Sequence, residues 1–251
     1  MSTIDDEWWD KSWDVISGCT PISEACEHCW AATYAKRFWG KRKFSDIRFH
    51  SERLELPFRW RKPRRIFVCS VGDLFHEKVS IGFIDRIAII IGRCQQHTYY
   101  LLTKRPKKAL DCYRRFFNNK GNAINIFQSN VFLGVTVENQ KRANERIPLL
   151  LQIPAAYRFI SIKPMLSSID FMKIPMARKL RDTNIDWLIL GCETGPLHPR
   201  LCKIEDMIDV ANQCKEAKVP LWVKAVPIDS KPCHDIGRFP KELRSREWPK
   251  K

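Results

Sequence analysis

The sequence predicts an α/β chain organised as a parallel (β/α) barrel, partial or closed, of about six or seven strands. Three observations predict it. Short β-rich runs recur along the 251 residues, each followed by a polar tip and then usually by an amphipathic helical stretch. The runs are continuously apolar rather than alternating, as parallel strands covered on both faces should be. The glycine-rich phosphate loop expected after the first strand of a doubly wound sheet is missing, whereas polar tips are spread evenly along the chain.

Taken in order, the strands read as 13–17 (WDVIS), 65–71 (RIFVCSV), 98–103 (TYYLLT), 131–137 (VFLGVTV), 157–162 (YRFISI), 185–191 (IDWLILG) and 220–226 (PLWVKAV). Helices follow at about 26–39, 80–96, 106–117, 140–152 and 204–218. The last of these, IEDMIDVANQCKEAK, has apolar residues at helical spacing and an acidic first turn that suits the helix dipole. Residues 42–62 read as a hairpin or irregular insertion, and 228–251 as a basic tail. No Gly/Ser linker divides the chain, so 1–251 reads as one domain. Read in sequence, the strand tips are SGC, SVGDLFHE, TKRP, GVTVEN, SIKP, GCETG and VKAV, and a barrel builds its site from such tips.

Hydrophobic residues make up 44% of the chain, an ordinary globular composition. No run approaches the roughly 18 apolar residues of a membrane span. The N-terminus, MSTIDDEWWDK, is acidic and lacks an apolar signal core, so the chain reads as cytoplasmic. In that compartment ten cysteines read as thiols or metal ligands rather than disulfides. The net charge of +16 gathers at 36-KRFWGKRK-43, 59-RWRKPRR-65, 104-KRPKK-108 and 238-RFPKELRSREWPKK-251. Aromatics interleave the first two clusters and the tail, a pattern suited to phosphate contacts and base stacking, although a solvated basic surface would carry the same charge.

Cys19, Cys26 and Cys29 fall within the eleven residues 19–29 of 16-ISGCTPISEACEHCW-30, with no fourth cysteine nearby. Structural zinc takes four ligands, and His28, wedged between Glu27 and Cys29, is an awkward fourth. Three thiolates on a loop at a barrel mouth suit a [4Fe–4S] cluster with one iron left open. Zinc with a distant fourth ligand is the other reading.

With those residues in view, the sequence resembles the phage and bacterial three-cysteine-motif family (the phage gene-product 37/68 family), a divergent branch of the radical S-adenosylmethionine (SAM) superfamily. The resemblance runs through GCTPISEACEHCW, IFVCSVGDLFHE, LLTKRP, LGVTVEN with the following ERI, RFISIKPML, DWLILGCETGP and VPLWVK. It implies a partial or closed TIM-like barrel of the radical SAM type, with a cluster on Cys19, Cys26 and Cys29. SAM would chelate the open iron and be cleaved to methionine and a 5′-deoxyadenosyl radical that takes hydrogen from a substrate. A reducing partner such as flavodoxin or ferredoxin is implied with it. The superfamily's usual spacing is Cys-x3-Cys-x2-Cys, so the Cys-x6-Cys-x2-Cys found here is a departure.

Against that resemblance, His28 falls where a residue packs near the adenine. Ser70 and Asp73 in SVGD stand in place of a glycine-rich acidic motif and face the SAM ammonium, although an aspartate there equally suits a helix N-cap. Lys104 or Arg105 would meet the carboxylate or a phosphate. Thr136, Glu138 and Asn139 fall near the ribose hydroxyls, and Glu193 and Thr194 within reach of cofactor or substrate. Lys163 stands where an acidic residue is usual, suggesting a substrate carboxylate, a phosphate, or an internal pair with Glu193. Cys192 stands where glycine is usual; it would quench a substrate radical, or is a small residue tolerated in a turn.

Charge and resemblance together lead to DNA or a nucleotide as substrate. The leading expectation is a radical SAM isomerase, mutase or lyase that rearranges a hypermodified pyrimidine in phage DNA, with base repair as a sibling. No second cluster-binding cysteine set is evident, which counts against methylthiolation. Two alternatives stand: a zinc-stabilised, non-catalytic nucleic-acid-binding protein, and a radical SAM enzyme acting on a peptide or metabolite.

Overall fold

The computed structural model describes residues 7–118, 125–175, 180, 183–194 and 198–249. The first six residues, Gly195 and Pro196 of the GCETGP motif, and Lys250 and Lys251 of the tail lie outside them.

The chain forms a mixed α/β fold on an eight-stranded, mostly parallel sheet. The strands are β1 (Lys11–Trp13), β4 (Arg65–Val68), β5 (Thr98–Thr103), β6 (Val131–Thr136), β7 (Tyr157–Ile162), β8 (Trp187–Gly191), β9 (Leu221–Ile228) and β10 (Lys231–Cys233), adjacent in that order. Neighbours from β1 to β9 pair parallel, and β10 closes the edge antiparallel. The order never reverses, so there is no switch point of the kind a doubly wound sheet has. Right-handed crossovers wound always in one direction place their helices on one face. These are α1 (Trp30–Phe38), α3 (Ile81–Arg93), α4 (Pro106–Asn118), α5 (Gln140–Leu151) and α6 (Ile204–Ala217).

The expected strands at 98–103 and 157–162 are matched to the residue, and the others to within a few positions. The first expected strand divides in two. Lys11–Trp13 joins the sheet, whereas β2 (Ile16–Ser17) turns away to pair antiparallel with β3 (Arg48–Phe49). The 42–62 insertion is therefore half of a two-stranded flap, followed by a 3-10 turn at Ser51–Arg53 and a short helix, α2 (Leu56–Arg59). The first expected helix starts later, because a 3-10 turn (Glu24–Cys26) and Cys29 in extended backbone precede α1.

Period-2 alternation divides the strands between two cores. One face carries Tyr99, Leu101, Leu133, Ile160, Leu188 and Val223 against apolar residues of the helices such as Ile87, Ile147 and Val210. The other carries one large aromatic from each of six successive strands: Phe67, Tyr100, Phe132, Phe159, Trp187 and Trp222. Phe67, Tyr100 and Phe132 are register partners, as are Phe159 and Trp187. Gly134 belongs to this packing, since a Cβ there would sit 2.5 Å from the Phe159 ring. Among the described residues no helix covers this aromatic belt. Trp8 does, with its ring centroid 5.0 Å from Phe67, 5.1 Å from Tyr100, and 5.8 Å from both Phe159 and Trp187.

The basic tail is built into the fold. Phe239 and Leu243 are buried, Ser245 O and Glu247 N bond to β9, and Trp187 Nε1 donates to Glu247 O at 2.9 Å. Trp248 stacks on Trp187 at 5.6 Å with Arg65 above it at 4.4 Å. Among the described residues, no helix is long and apolar enough to cross a membrane.

Candidate active site

Trp8, Trp9 and Phe67, at the inner side of the aromatic belt, line a cavity of about 470 Å³ that opens at the C-terminal ends of the strands. Along β6 and β7 the positions beyond the belt residue step by twos from aromatic to small to polar, Phe132, Gly134, Thr136 and Phe159, Ser161, Lys163, and β9 goes directly from Trp222 to Lys224. Cys19, Cys26, Cys29, His28, Ser70, Asp73, Lys104, Thr136, Lys163, Cys192, Glu193 and Thr194 all line this one cavity. Residues drawn from opposite ends of the sequence thus share one chamber.

The cysteine loop leaves β2 through Gly18, whose φ of +100° is a conformation side chains rarely adopt. A Cβ there would lie 2.7 Å from Asp46 O, so the loop passes tightly over the flap. The next residue, Cys19, is held at its Sγ by Arg105 Nη1 at 3.3 Å. Burial, followed by Asp73, pushes the Cys19 thiol up to about 11 against the pull of Arg105. Cys26 is also desolvated, but Lys104 and hydrogen bonds at Ile22 and Ser23 outweigh burial and hold it below the ordinary thiol value.

Arg105 is a buried hub. It reaches Asp73 Oδ2 at 3.2 Å, Glu77 Oε1 at 2.8 Å, Thr20 O at 3.0 Å and Cys19 Sγ. The Asp73 carboxylate also accepts from Thr103 Oγ1 at 2.8 Å, Phe75 N at 2.9 Å and Lys104 N at 3.3 Å. These bonds correct the expectation that Asp73 is open to an ammonium: its oxygens are spent tying the second strand tip to the third. Ser70 Oγ is likewise engaged, donating to Asp14 at 3.0 Å.

Glu193 lies across the chamber. His28 Nδ1 sits 2.8 Å from Glu193 Oε2, and Arg200 Nη2 donates to Oε1 at 2.6 Å. Arg200 also binds Glu27 Oε2 at 2.6 Å and Glu24 O at 3.0 Å, and Arg142 binds Glu24 at 3.0 Å. Two arginines thereby clamp the cysteine loop to the far strand tips. Burial raises the Glu193 carboxyl, but Arg200 and His28 more than offset it and leave it lowered, hence ionised. The pairing of Lys163 with Glu193 considered from sequence is replaced: Lys163 Nζ donates to Thr194 Oγ1 at 3.0 Å.

Lys163 is desolvated and lies near Lys224, and the two effects push its amine down to about 8. Lys224 in turn binds Glu7 Oε2 at 2.7 Å beside Trp9. Because the folded Lys163 falls below its free value of 10.5, the native state holds fewer protons than the unfolded state between about pH 8 and 10.5. Its contribution to stability is therefore poorest at low pH and improves as pH rises through that window. We expect Lys163→Met to raise stability at pH 7 by on the order of 2 kcal/mol and to flatten this pH dependence. Urea unfolding from pH 7 to 10 checks it, and a variant less stable than wild type at pH 7 would refute the sign.

Glu138 and Asn139 are placed elsewhere than expected. Asn139 Oδ1 caps α5, accepting from Arg142 N at 2.9 Å. Glu138 is fully buried against Arg146, which is 2.9 Å away, and neither residue lines the cavity. Sequence reasoning missed Glu7, Trp8, Lys224 and Arg200. Only Lys224 carried a signal, as a cation in the otherwise apolar run LWVKAV.

Among the described residues, no group of three or more His, Cys, Asp and Glu side chains is arranged to hold a single metal ion. Three thiols on one chamber wall, one of them depressed by Lys104, still fit a cluster in donor chemistry. A cluster bonds each cysteine to a different iron and does not draw the sulfurs to one point.

A family model described as a protein of unknown function (DUF5131) matches residues 2–230, which include every residue of the cavity wall except His234. The chain belongs to this family. No curated protein and no solved structure matches it.

Proposed function

We propose that the protein is a radical SAM enzyme of the three-cysteine-motif branch, its sheet curled as a partial TIM-like barrel, acting on a base of DNA or on a nucleotide. The observation that carries this reading is the convergence of Cys19, Cys26 and Cys29 with the polar strand tips on one chamber that Trp8, Trp9 and Phe67 also line. Rings from four strands gathered on Trp8 support the curl, and the +16 charge supports a polyanionic substrate.

The three cysteines would hold a [4Fe–4S] cluster which, with SAM bound, supplies one-electron cleavage and hydrogen abstraction. The chain's own residues do the rest. Arg105 and Lys104 favour thiolate at Cys19 and Cys26. His28, oriented through Nδ1 by Glu193, presents its other ring edge for the cofactor or for a proton. Lys163, held by Thr194 beside the Glu7-paired Lys224, supplies a cation for an anionic group of the substrate. Cys192 is fully buried, and burial pushes its thiol up to about 11, so it keeps its S–H at neutral pH, the form able to return a hydrogen atom. Trp8 and the clamped cysteine loop wall the chamber on two sides. Isomerisation of a hypermodified pyrimidine remains the leading reaction, with reductant from a flavodoxin or ferredoxin.

The test is anaerobic reconstitution with iron and sulfide, followed by dithionite, SAM and mass spectrometry. We expect 5′-deoxyadenosine from the wild type and its loss in Cys26→Ala. A colourless protein that binds about one zinc and cleaves no SAM would replace this reading with the non-catalytic zinc-stabilised one.

A further inference from the structure

Helix α1 is built inside out. Its buried residues are Ala31 and Ala35, while Trp30, Tyr34 and Phe38 are 51%, 45% and 58% exposed. A helix that packs small residues inward and shows three large rings to solvent gives up burial free energy at each ring, which marks an interaction face. The rings recur every four residues and so form one stripe, rising about 6 Å per step. Tyr34 and Phe38 already touch, with centroids 4.6 Å apart, and the Arg37 guanidinium lies 5.1 Å from the Phe38 centroid. The inner end of the stripe, Trp30, lines the cavity directly after Cys29. Its outer end runs into 36-KRFWGKRK-43, with five cations and no acid.

The other aromatic-basic clusters hold their tryptophans against neighbouring rings, with Trp248 still 38% exposed. Trp60 packs on His97, and Trp248 stacks on Trp187 beneath Arg65. On α1 the rings face outward.

We propose that α1 is a stacking track for single-stranded nucleic acid, leading a nucleotide from solvent into the chamber. The proposal rests on the nucleic-acid reading above and names the strandedness of its substrate. Stacking needs exposed base faces, which a duplex hides, and successive bases on aromatic rings with phosphates on flanking Lys and Arg is how unpaired strands are held. A base entering a chamber of this size must be unpaired as well.

The test is fluorescence anisotropy of end-labelled oligothymidylate against a blunt duplex of equal length, at two salt concentrations. We expect the single strand to bind more tightly, and Tyr34→Ala/Phe38→Ala to weaken it about tenfold or more. Lys36→Ala/Arg37→Ala should lower the salt slope by about 0.7 for each phosphate no longer neutralised. Phe58→Ala, which removes an exposed ring off this helix, should bind as wild type. Duplex preferred over single strand, or binding indifferent to Tyr34→Ala/Phe38→Ala, overturns the track. So does loss of flavodoxin capture with oligonucleotide binding retained, which would make α1 a protein-docking face. None of these outcomes touches the radical reading, which stands or falls on 5′-deoxyadenosine formation by the wild type. Failure of every oligonucleotide to bind would sink the track together with the choice of substrate.

Discussion

Arg105→Met is expected to lower stability by about 3–5 kcal/mol, because it leaves the Asp73 carboxylate buried without its cation. Asp73 would keep only Thr103 Oγ1 and the amides of Phe75 and Lys104. The same change removes the donor on Cys19 Sγ and the bond to Thr20 O, so the cysteine loop loses its anchor to the third strand tip. Urea unfolding of Arg105→Met, Asp73→Asn and the double variant forms a cycle that separates the pair from its surroundings. The double variant should recover part of the loss, since an uncharged amide tolerates the site better than an unpaired carboxylate. A single variant within about 1 kcal/mol of wild type would show that Asp73 is satisfied without Arg105. Iron uptake should fall along with stability, because the Cys19 thiol, already pushed up to about 11, would lose an N–H that favours its thiolate.

The second large effect is expected at Trp8. Its indole is the lid of an aromatic face that none of the described helices covers, and it touches rings of β4, β5, β7 and β8. Trp8→Ala should lower stability by about 3–5 kcal/mol, as large-to-small changes in cores do. The signature would be a lower urea midpoint together with loss of near-ultraviolet circular dichroism from the clustered tryptophans. Because Trp8 also lines the cavity, the variant joins the chamber to the belt beneath it. If Trp8→Ala unfolds like wild type, the N-terminal segment is peripheral and the belt is self-sufficient. Trp8→Phe should recover most of the loss by keeping a ring on Tyr100 and Phe67.

Much of this was legible in the chain because the signals are local. Parallel strands buried on two faces must be apolar throughout, and that pattern located Thr98–Thr103 and Tyr157–Ile162 to the residue. Alternation then sets which side chain of each strand faces inward, so Lys163 and Thr136 were readable as chamber residues from their place beyond Phe159 and Phe132. Glu138 and Asn139 lie past the end of β6, where alternation no longer holds. There a helix cap and a buried ion pair with Arg146 decided their positions instead.

What the sequence determined by itself is the strand-helix rhythm, the polar tips and the three-cysteine loop, all of which follow from short-range periodicity and spacing. Only the tertiary structure decided which charges meet: Asp73 with Arg105, Glu193 with His28 and Arg200, Lys224 with Glu7. It also decided that Trp60 and Trp248 pack against neighbouring rings while Trp30, Tyr34 and Phe38 of α1 stand out to solvent. The physical reason is separation along the chain. Glu7 and Lys224, at opposite ends of the sheet sequence, carry no shared local pattern, and only the winding of the strands brings them within 2.7 Å.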